Sequence, residues 1–425
     1  MDFYLTTITC LLAVCVSFSA SASSSVNTLP PASSSKAAPR PLTLKSDPIS
    51  LLEYCERQFS IAGFRKTCAL KTGSASELVA SAEALWLLWK GNTTRVRQLI
   101  ERYSQRPETG KWSTLLELEL AASTQNYVSL ASLVSELSKA EQRSDSSYAG
   151  MRRRFTELLA QANGDWSLLS QLLASYSRSD VVNSPTLFYW QANVYALDGK
   201  TRDLGQLINA APADVRTTVG FALQRAAYSV LIDGSDAWVK SMQRSLAQHP
   251  KDVQIELELL LHKVLWGIPQ EAEDALRRIH ELSRKTSFDV QRWLRVVLEL
   301  MLVRRAQDAE EIYKRIASSA TSLDDFAATH IYLAWQAAHS GNTLDALRLL
   351  EPALQMAPQH YWANYLKALI ARRRESAAAA YEALSILFRL DPYNKNFHSM
   401  IEHFSGLTKS EEWNRLRLET QRFRR

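Results

Sequence analysis

Residues 327–360 read AATHIYLAWQAAHSGNTLDALRLLEPALQMAPQH, and residues 361–394 read YWANYLKALIARRRESAAAAYEALSILFRLDPYN. Pro358 and Pro392 stand 34 residues apart, and each closes an amphipathic stretch, Leu344 to Met356 and Ser376 to Leu390. Apolar residues recurring every three or four positions predict a helix in each stretch, and a second apolar-periodic stretch precedes each one. Proline ends a helix because it lacks the N–H donor and its ring collides with the carbonyl of the preceding turn. Two helix pairs of one length in tandem predict an all-α solenoid, in which a single hairpin cannot bury its apolar faces and must share a core with its neighbours.

Set in register, the first unit offers Leu333, Ala334, Gly341, Ala346, Leu350, Ala353 and Pro358, and the second offers Ala368, Ala371, Ala380, Leu384 and Pro392. This pattern resembles the tetratricopeptide repeat. In that family a small residue at the eighth position and Ala at the twentieth let two antiparallel helices approach closely, and Pro at the thirty-second stops the second helix. The second unit departs where Lys367 replaces a large apolar residue and where Glu375 replaces Gly. The resemblance implies a superhelix with a concave groove lined by the first helix of each pair. It places Ala328, Ile331, Trp335, Ala338 and His339 on that wall, followed by Trp362, Tyr365, Leu369, Arg372 and Arg373. Trp335, His339, Trp362, Tyr365, Arg372 and Arg373 are therefore the candidate groove residues, suited to a protein or peptide partner carrying a carboxylate. The competing reading packs the tryptophans between helices and leaves the arginines solvated.

Working outward, weaker units recur upstream: Glu77 to Gly110 with Ala84 and Gly91, Pro185 onward with Ala192 and Gly199, Val219 to Pro250, and Val253 to about His280 with Gly267 and Ala272. Trp112 to Glu141 and Met151 to Ser177 have helical periodicity without the repeat signature. The expected layout is divergent hairpins over 48–326, two clear repeats over 327–394 and capping helices over 395–425. Composition agrees. The 425 residues are 46% hydrophobic with only 13 Gly and 13 Pro, too apolar for disorder and too poor in turn residues for a sandwich or barrel. Lys and Arg exceed Asp and Glu by 50 to 44, a dispersed basic excess that leans toward anionic partners.

Leu5 to Phe18 is an apolar run followed by Ala20 and Ala22, the small residues of a signal-peptidase site. The expectation is a signal peptide over 1–22 and export to the periplasm or cell envelope. Asp2, with no Lys or Arg beside it, departs from the usual basic flank, and an uncleaved anchor or a lipidated Cys15 are the alternatives. No later run approaches the ~20 apolar residues a bilayer span needs, so no membrane span is expected after cleavage. Residues 23–47, rich in Ser, Ala and Pro, read as a flexible leader. Cleavage would leave two cysteines, Cys55 and Cys68, either bridged, closing a loop worth roughly 3 kcal/mol, or held as buried thiols.

No H-E-x-x-H, G-x-S-x-G or C-x-x-C occurs, and the eight histidines lack metal-ligand spacing. Gly199-Lys200-Thr201 imitates the end of a phosphate loop, but Val194 stands at its first glycine, and a turn between helices is expected instead. Asp324-Asp325 and similar adjacent carboxylates point to different sides of a helix and read as solvated charges. Arg152 to Arg154, Arg304-Arg305 and Arg372 to Arg374 are diluted by nearby acids, which argues against nucleic acid. The reading is a non-enzymatic scaffold with no cofactor and no metal, binding a protein or peptide. The alternatives are a glycan- or peptidoglycan-associated accessory module, with an anionic glycan as partner, and a cytoplasmic regulator.

Overall fold

The computed structural model describes residues 48–49, 51–52, 76–106, 109–141, 147–183, 185–212, 216, 219–233, 235–250, 252–285 and 290–423. The signal segment, the leader and the Cys55 and Cys68 pair lie outside the described residues. In chain order the hairpins are α1 (Ser76–Trp89) with α2 (Thr94–Ser104), α3 (Gly110–Ser123) with α4 (Tyr127–Glu141), and α5 (Ser147–Ala162) with α6 (Trp166–Leu173). After the short α7 (Arg178–Asn183) come α8 (Pro185–Leu197) with α9 (Thr201–Ala210), α10 (Val219–Asp233) with α11 (Ser235–Gln248), and α12 (Val253–Trp266) with α13 (Pro269–Lys285). The last four are α14 (Val290–Leu302) with α15 (Ala306–Ser319), α16 (Ala327–His339) with α17 (Thr343–Met356), α18 (Tyr361–Arg373) with α19 (Ala377–Leu390), and α20 (Lys395–Thr408) with α21 (Glu411–Thr420). The two helices of each hairpin pack together, and no strand occurs among the described residues, so the chain is an all-α solenoid of helical hairpins.

One backbone device sets the repeat. Gly91, Gln125, Gly164, Gly199, Arg304, Gly341, Glu375 and Lys409 all have positive φ, between 51° and 87°, and all end the first helix of a hairpin. In seven of them the next N–H reaches back five residues, as Asn342 to the Ala337 carbonyl and Ser376 to the Ala371 carbonyl, which satisfies the orphan carbonyls of the helix end. The following helix starts on a side-chain cap at several turns: Asp165 accepts from the Leu168 N–H and Asn342 from the Asp345 N–H. Gly199-Lys200-Thr201 is such a turn, with Gly199 at φ 70° and Thr201 opening α9.

Burial divides the helices into two kinds. First helices are buried on nearly every face: in α14 this holds for Val290 and for every residue from Trp293 to Met301. Second helices bury one stripe, as in α17, where only Ala346, Leu350 and Ala353 are buried. The first helices therefore form the inner layer and the second the outer layer. Ala334, Ala346, Ala368 and Ala380, all fully buried, sit where the helices cross, and a larger side chain there would push them apart.

The array winds until it meets itself. Hairpin tips of the first half pack against the loops and first-helix starts of the second half, across sequence separations of 168 to 235 residues. Thr93 donates to Asp325 at 3.0 Å, the Gln291 side chain to the Ser123 carbonyl at 2.9 Å, the Trp166 indole to the Arg389 carbonyl at 2.9 Å, and the Tyr393 hydroxyl to the Ala196 carbonyl at 3.0 Å. A Cβ on Gly91 would stand 2.1 Å from Val290 Cγ2, and one on Gly164 would stand 2.9 Å from Leu390 Cδ2. At repeats of roughly 34 residues, these separations correspond to about five to seven hairpins per superhelical turn. The second turn rests directly on the tips of the first.

Candidate functional site

The candidate groove residues separate into two groups. Trp335, Trp362 and Tyr365 are buried together: Trp335 meets Trp362 edge-on with ring centres 6.5 Å apart, and meets Tyr365 at 6.0 Å. Tyr361 and Phe397 extend the same aromatic cluster, which fills the space between α16, α18 and α20. Trp335 is 7% exposed, and its Nε1 finds no hydrogen-bond partner among the described residues. His339, Arg372 and Arg373 are exposed at the ends of α16 and α18, where cations also complement the helix dipole. Arg372 lies ten residues beyond Trp362, about 15 Å along the helix. An occupant touching both groups must run along the helix axis.

Inside the coil a line of polar side chains replaces the apolar filling expected of a core. Gln224 Nε2 donates to Asn193 Oδ1 at 2.6 Å, and the indole of Trp89 donates to Glu119 at 3.3 Å. Arg295 is clamped between two carboxylates, donating to both oxygens of Glu258 at 2.5 and 3.0 Å and to Glu299 at 2.7 Å. All three are more than nine-tenths buried. Burial pushes the Glu299 carboxyl up, Arg295 pulls it back down, and the neighbouring Glu258 adds to the rise, leaving it above its ordinary value. The second oxygen of Glu299 and both side-chain polar atoms of Gln254 lack partners among the described residues. A buried ion triad of this kind is a specificity element and a local liability to stability.

The seam carries features that sequence reading missed. Asp325, read as a solvated charge, is instead the ion-pair partner of Arg97 and accepts from Thr93 across the turns. Its partial burial pushes the carboxyl up, but hydrogen bonds from Arg97, Ser322 and Thr93 outweigh that and hold it below its ordinary value. His360 Nε2 lies 2.8 Å from Gln125 Oε1, and full burial lowers its pKa to about 4, so the neutral ring donates to Gln125. The signals in the sequence were the polar residues at the tips, but nothing local says what they meet.

Two clefts open along this seam. One, of about 730 Å³, is lined by Tyr127, Val128, Trp166, Pro358, Gln359 and Arg389, among others. The second, of about 460 Å³, lies beside Arg97, Glu117, Asn126, Leu133, Asp324 and Met356. The larger cleft is lined by the apolar Trp166, Pro358 and the exposed Val128, by Arg389, bonded to Gln359 at 2.7 Å, which supplies a cation, and by Asp165, which caps α6. Such a cleft takes an apolar side chain next to an acceptor or acid. Among the described residues no group of three His, Cys, Asp or Glu side chains converges to hold a metal ion. No protein-family model matches the chain, and no curated protein matches it.

Proposed function

We propose that the protein is a non-enzymatic scaffold that works outside the cytoplasm, in the cell envelope, and holds a partner protein or peptide. The observation that carries this reading is the seam cleft between superhelical turns, lined by Trp166, Pro358 and the exposed Val128 together with the Arg389 cation. An extended segment bearing an apolar residue next to an acid fits that chemistry. The inner wall of Trp335, Trp362 and Tyr365 with His339, Arg372 and Arg373 is the other place for a partner. There only the polar three stand free, so binding would depend on Arg372 and Arg373. The second functional reading, an accessory module for anionic glycan or peptidoglycan, draws on the net charge of +6.

Panning a phage-displayed peptide library on the full chain tests the proposal. Enriched peptides should share an apolar residue beside an acid, and Val128→Asp or Trp166→Ala should release them, with Arg372→Glu and Arg373→Glu as the comparison for the inner wall. No enrichment, or enrichment indifferent to all four substitutions, contradicts it. Retention on isolated peptidoglycan in place of peptides moves the function to the glycan reading.

A further inference from the structure

We propose that the uncovered rim of the second superhelical turn is a docking edge for an anionic lipid bilayer. The first-turn tips at Gly91, Gln125, Gly164 and Gly199 are covered by the second turn, whereas among the described residues no hydrogen bond or ion pair ties the tips at Arg304, Gly341, Glu375 and Lys409 to another turn. Gly341 has no heavy atom within 4 Å of where a Cβ would stand, and Arg304, Glu375 and Lys409 are exposed. Two kinds of side chain collect on these free tips. Ile232, Ile268, Leu344 and Leu407, each within three residues of a tip, are 52%, 63%, 69% and 57% exposed. Arg304, Arg372, Arg373, Arg374 and Lys409 are exposed, and none has an ion-pair partner among the described residues. The acids nearby are Asp233 and Asp236 at the first free tip, Glu271 and Glu273 beside Ile268, with Glu273 paired to Arg305, Asp345 beside Leu344 and paired to Arg348, Glu375, Glu402, and Glu411 and Glu412 beside Lys409, with Glu411 turned to Arg415. The arc from Arg304 through Leu344 to Arg374 is thus an exposed leucine flanked on both sides by free guanidinium groups.

The geometry of these side chains selects the partner. The aliphatic side chains stand singly on separate tips, with the larger seam cleft, beside Pro358, at the other end of the second helices. A protein partner needs a contiguous patch to bury. A fluid interface admits isolated aliphatic side chains to the acyl boundary while its phosphates meet the arginines. A second copy of the chain continuing the coil is disfavoured by the same residues: seam packing at Gly91 and Gly164 leaves no room for a Cβ, while the free tips carry Arg, Glu and Lys. No helix among the described residues is long and apolar enough to cross a membrane, so the contact is peripheral. This inference does not rest on the scaffold reading.

Hydrogen exchange of the full chain, with phosphatidylcholine vesicles or with vesicles containing a third phosphatidylglycerol, tests it. Because the apolar run Leu5 to Phe18 can itself enter vesicles, the readout is local: the amides of 339–345, 371–376 and 404–410. Anionic vesicles should slow their exchange severalfold and neutral vesicles should not. The Arg372→Glu, Arg373→Glu, Arg374→Glu variant should lose that protection, with partitioning down about a hundredfold at low salt. Leu344→Asn, at an exposed site that leaves folding intact, should weaken it independently. Unprotected tips, equal protection by neutral vesicles, or protection that survives both variants overturns the proposal. So does protection by a polyglutamate peptide but not by vesicles, which would assign the rim to an acidic protein.

Discussion

Gly91 and Gly341 occupy the same place in their hairpins, with φ of 87° and 86°, yet one is pressed against Val290 and the other faces open space. Replacing either with Ala forces an L-residue into left-handed backbone, which costs about 1–2 kcal/mol. Only Gly91→Ala also drives a Cβ to 2.1 Å from Val290 Cγ2, an overpacking cost of about 1–3 kcal/mol more. Gly91→Ala should therefore destabilise by about 2–5 kcal/mol and Gly341→Ala by about 1–2 kcal/mol, measured as midpoint shifts in urea at constant slope. Val290→Ala removes the colliding methyl groups. The double variant Gly91→Ala, Val290→Ala should be less unstable than the two single changes added together. Equal losses for the two glycines, with additive behaviour at Val290, would mean that the turns do not touch and would refute the winding described above.

Three further outcomes follow from the interior and the seam. His360 is held near pKa 4 in the fold but titrates near 6.5 when unfolded, so the unfolded chain binds the extra proton and stability falls as pH drops from 6.5 toward 4. The loss is at most about 3 kcal/mol for this residue, and His360→Gln should reduce the slope in that window but leave the share of His262, which burial also lowers to about 4; an unchanged profile contradicts the assignment. Arg295→Met strands Glu258 and Glu299 together and should cost about 3–5 kcal/mol, whereas Glu299→Gln, which keeps an acceptor for Arg295, should cost less than about 1 kcal/mol; denaturant titrations giving the reverse order would exclude the triad. Trp335→Phe removes the unpaired N–H and three ring atoms of a buried side chain and should cost about 1–2 kcal/mol, against about 3–5 kcal/mol for Trp335→Ala. If Trp335→Phe left stability intact but abolished peptide capture, the buried indole would be a binding group and not packing.

The repeat was legible where Pro358 and Pro392 closed two helices 34 residues apart. Helices expected over Leu344 to Met356 and Ser376 to Leu390 occur at Thr343–Met356 and Ala377–Leu390. At other hairpins the left-handed turn is kept while its residue changes, to Gln125, Arg304 and Lys409 as at Glu375. Gln125 hid the α3 to α4 turn in a stretch that showed helical periodicity and no repeat signature. The backbone hydrogen bonds, not the glycine, define the unit. The candidate groove was legible only as positions on a wall. Whether Trp335 and Trp362 face a ligand or each other depends on Tyr361 and Phe397, whose approach is set by how neighbouring hairpins rotate. The seam was not legible at all, because contacts such as His360 with Gln125 depend on the pitch of the whole superhelix.

The closure of the coil on itself underlies the seam cleft, the pH behaviour and the free rim alike. Asn92 and Thr321, whose side chains meet at 3.2 Å across 229 residues, give the most direct test. With Cys10, Cys15, Cys55 and Cys68 changed to Ser, Asn92→Cys with Thr321→Cys should oxidise rapidly to an intramolecular disulfide, seen as faster migration of the denatured chain that reductant reverses. An open solenoid would hold these sites several hairpins apart. Two thiols that stay free under the same oxidant, in a chain whose helical content is unchanged, would contradict the account.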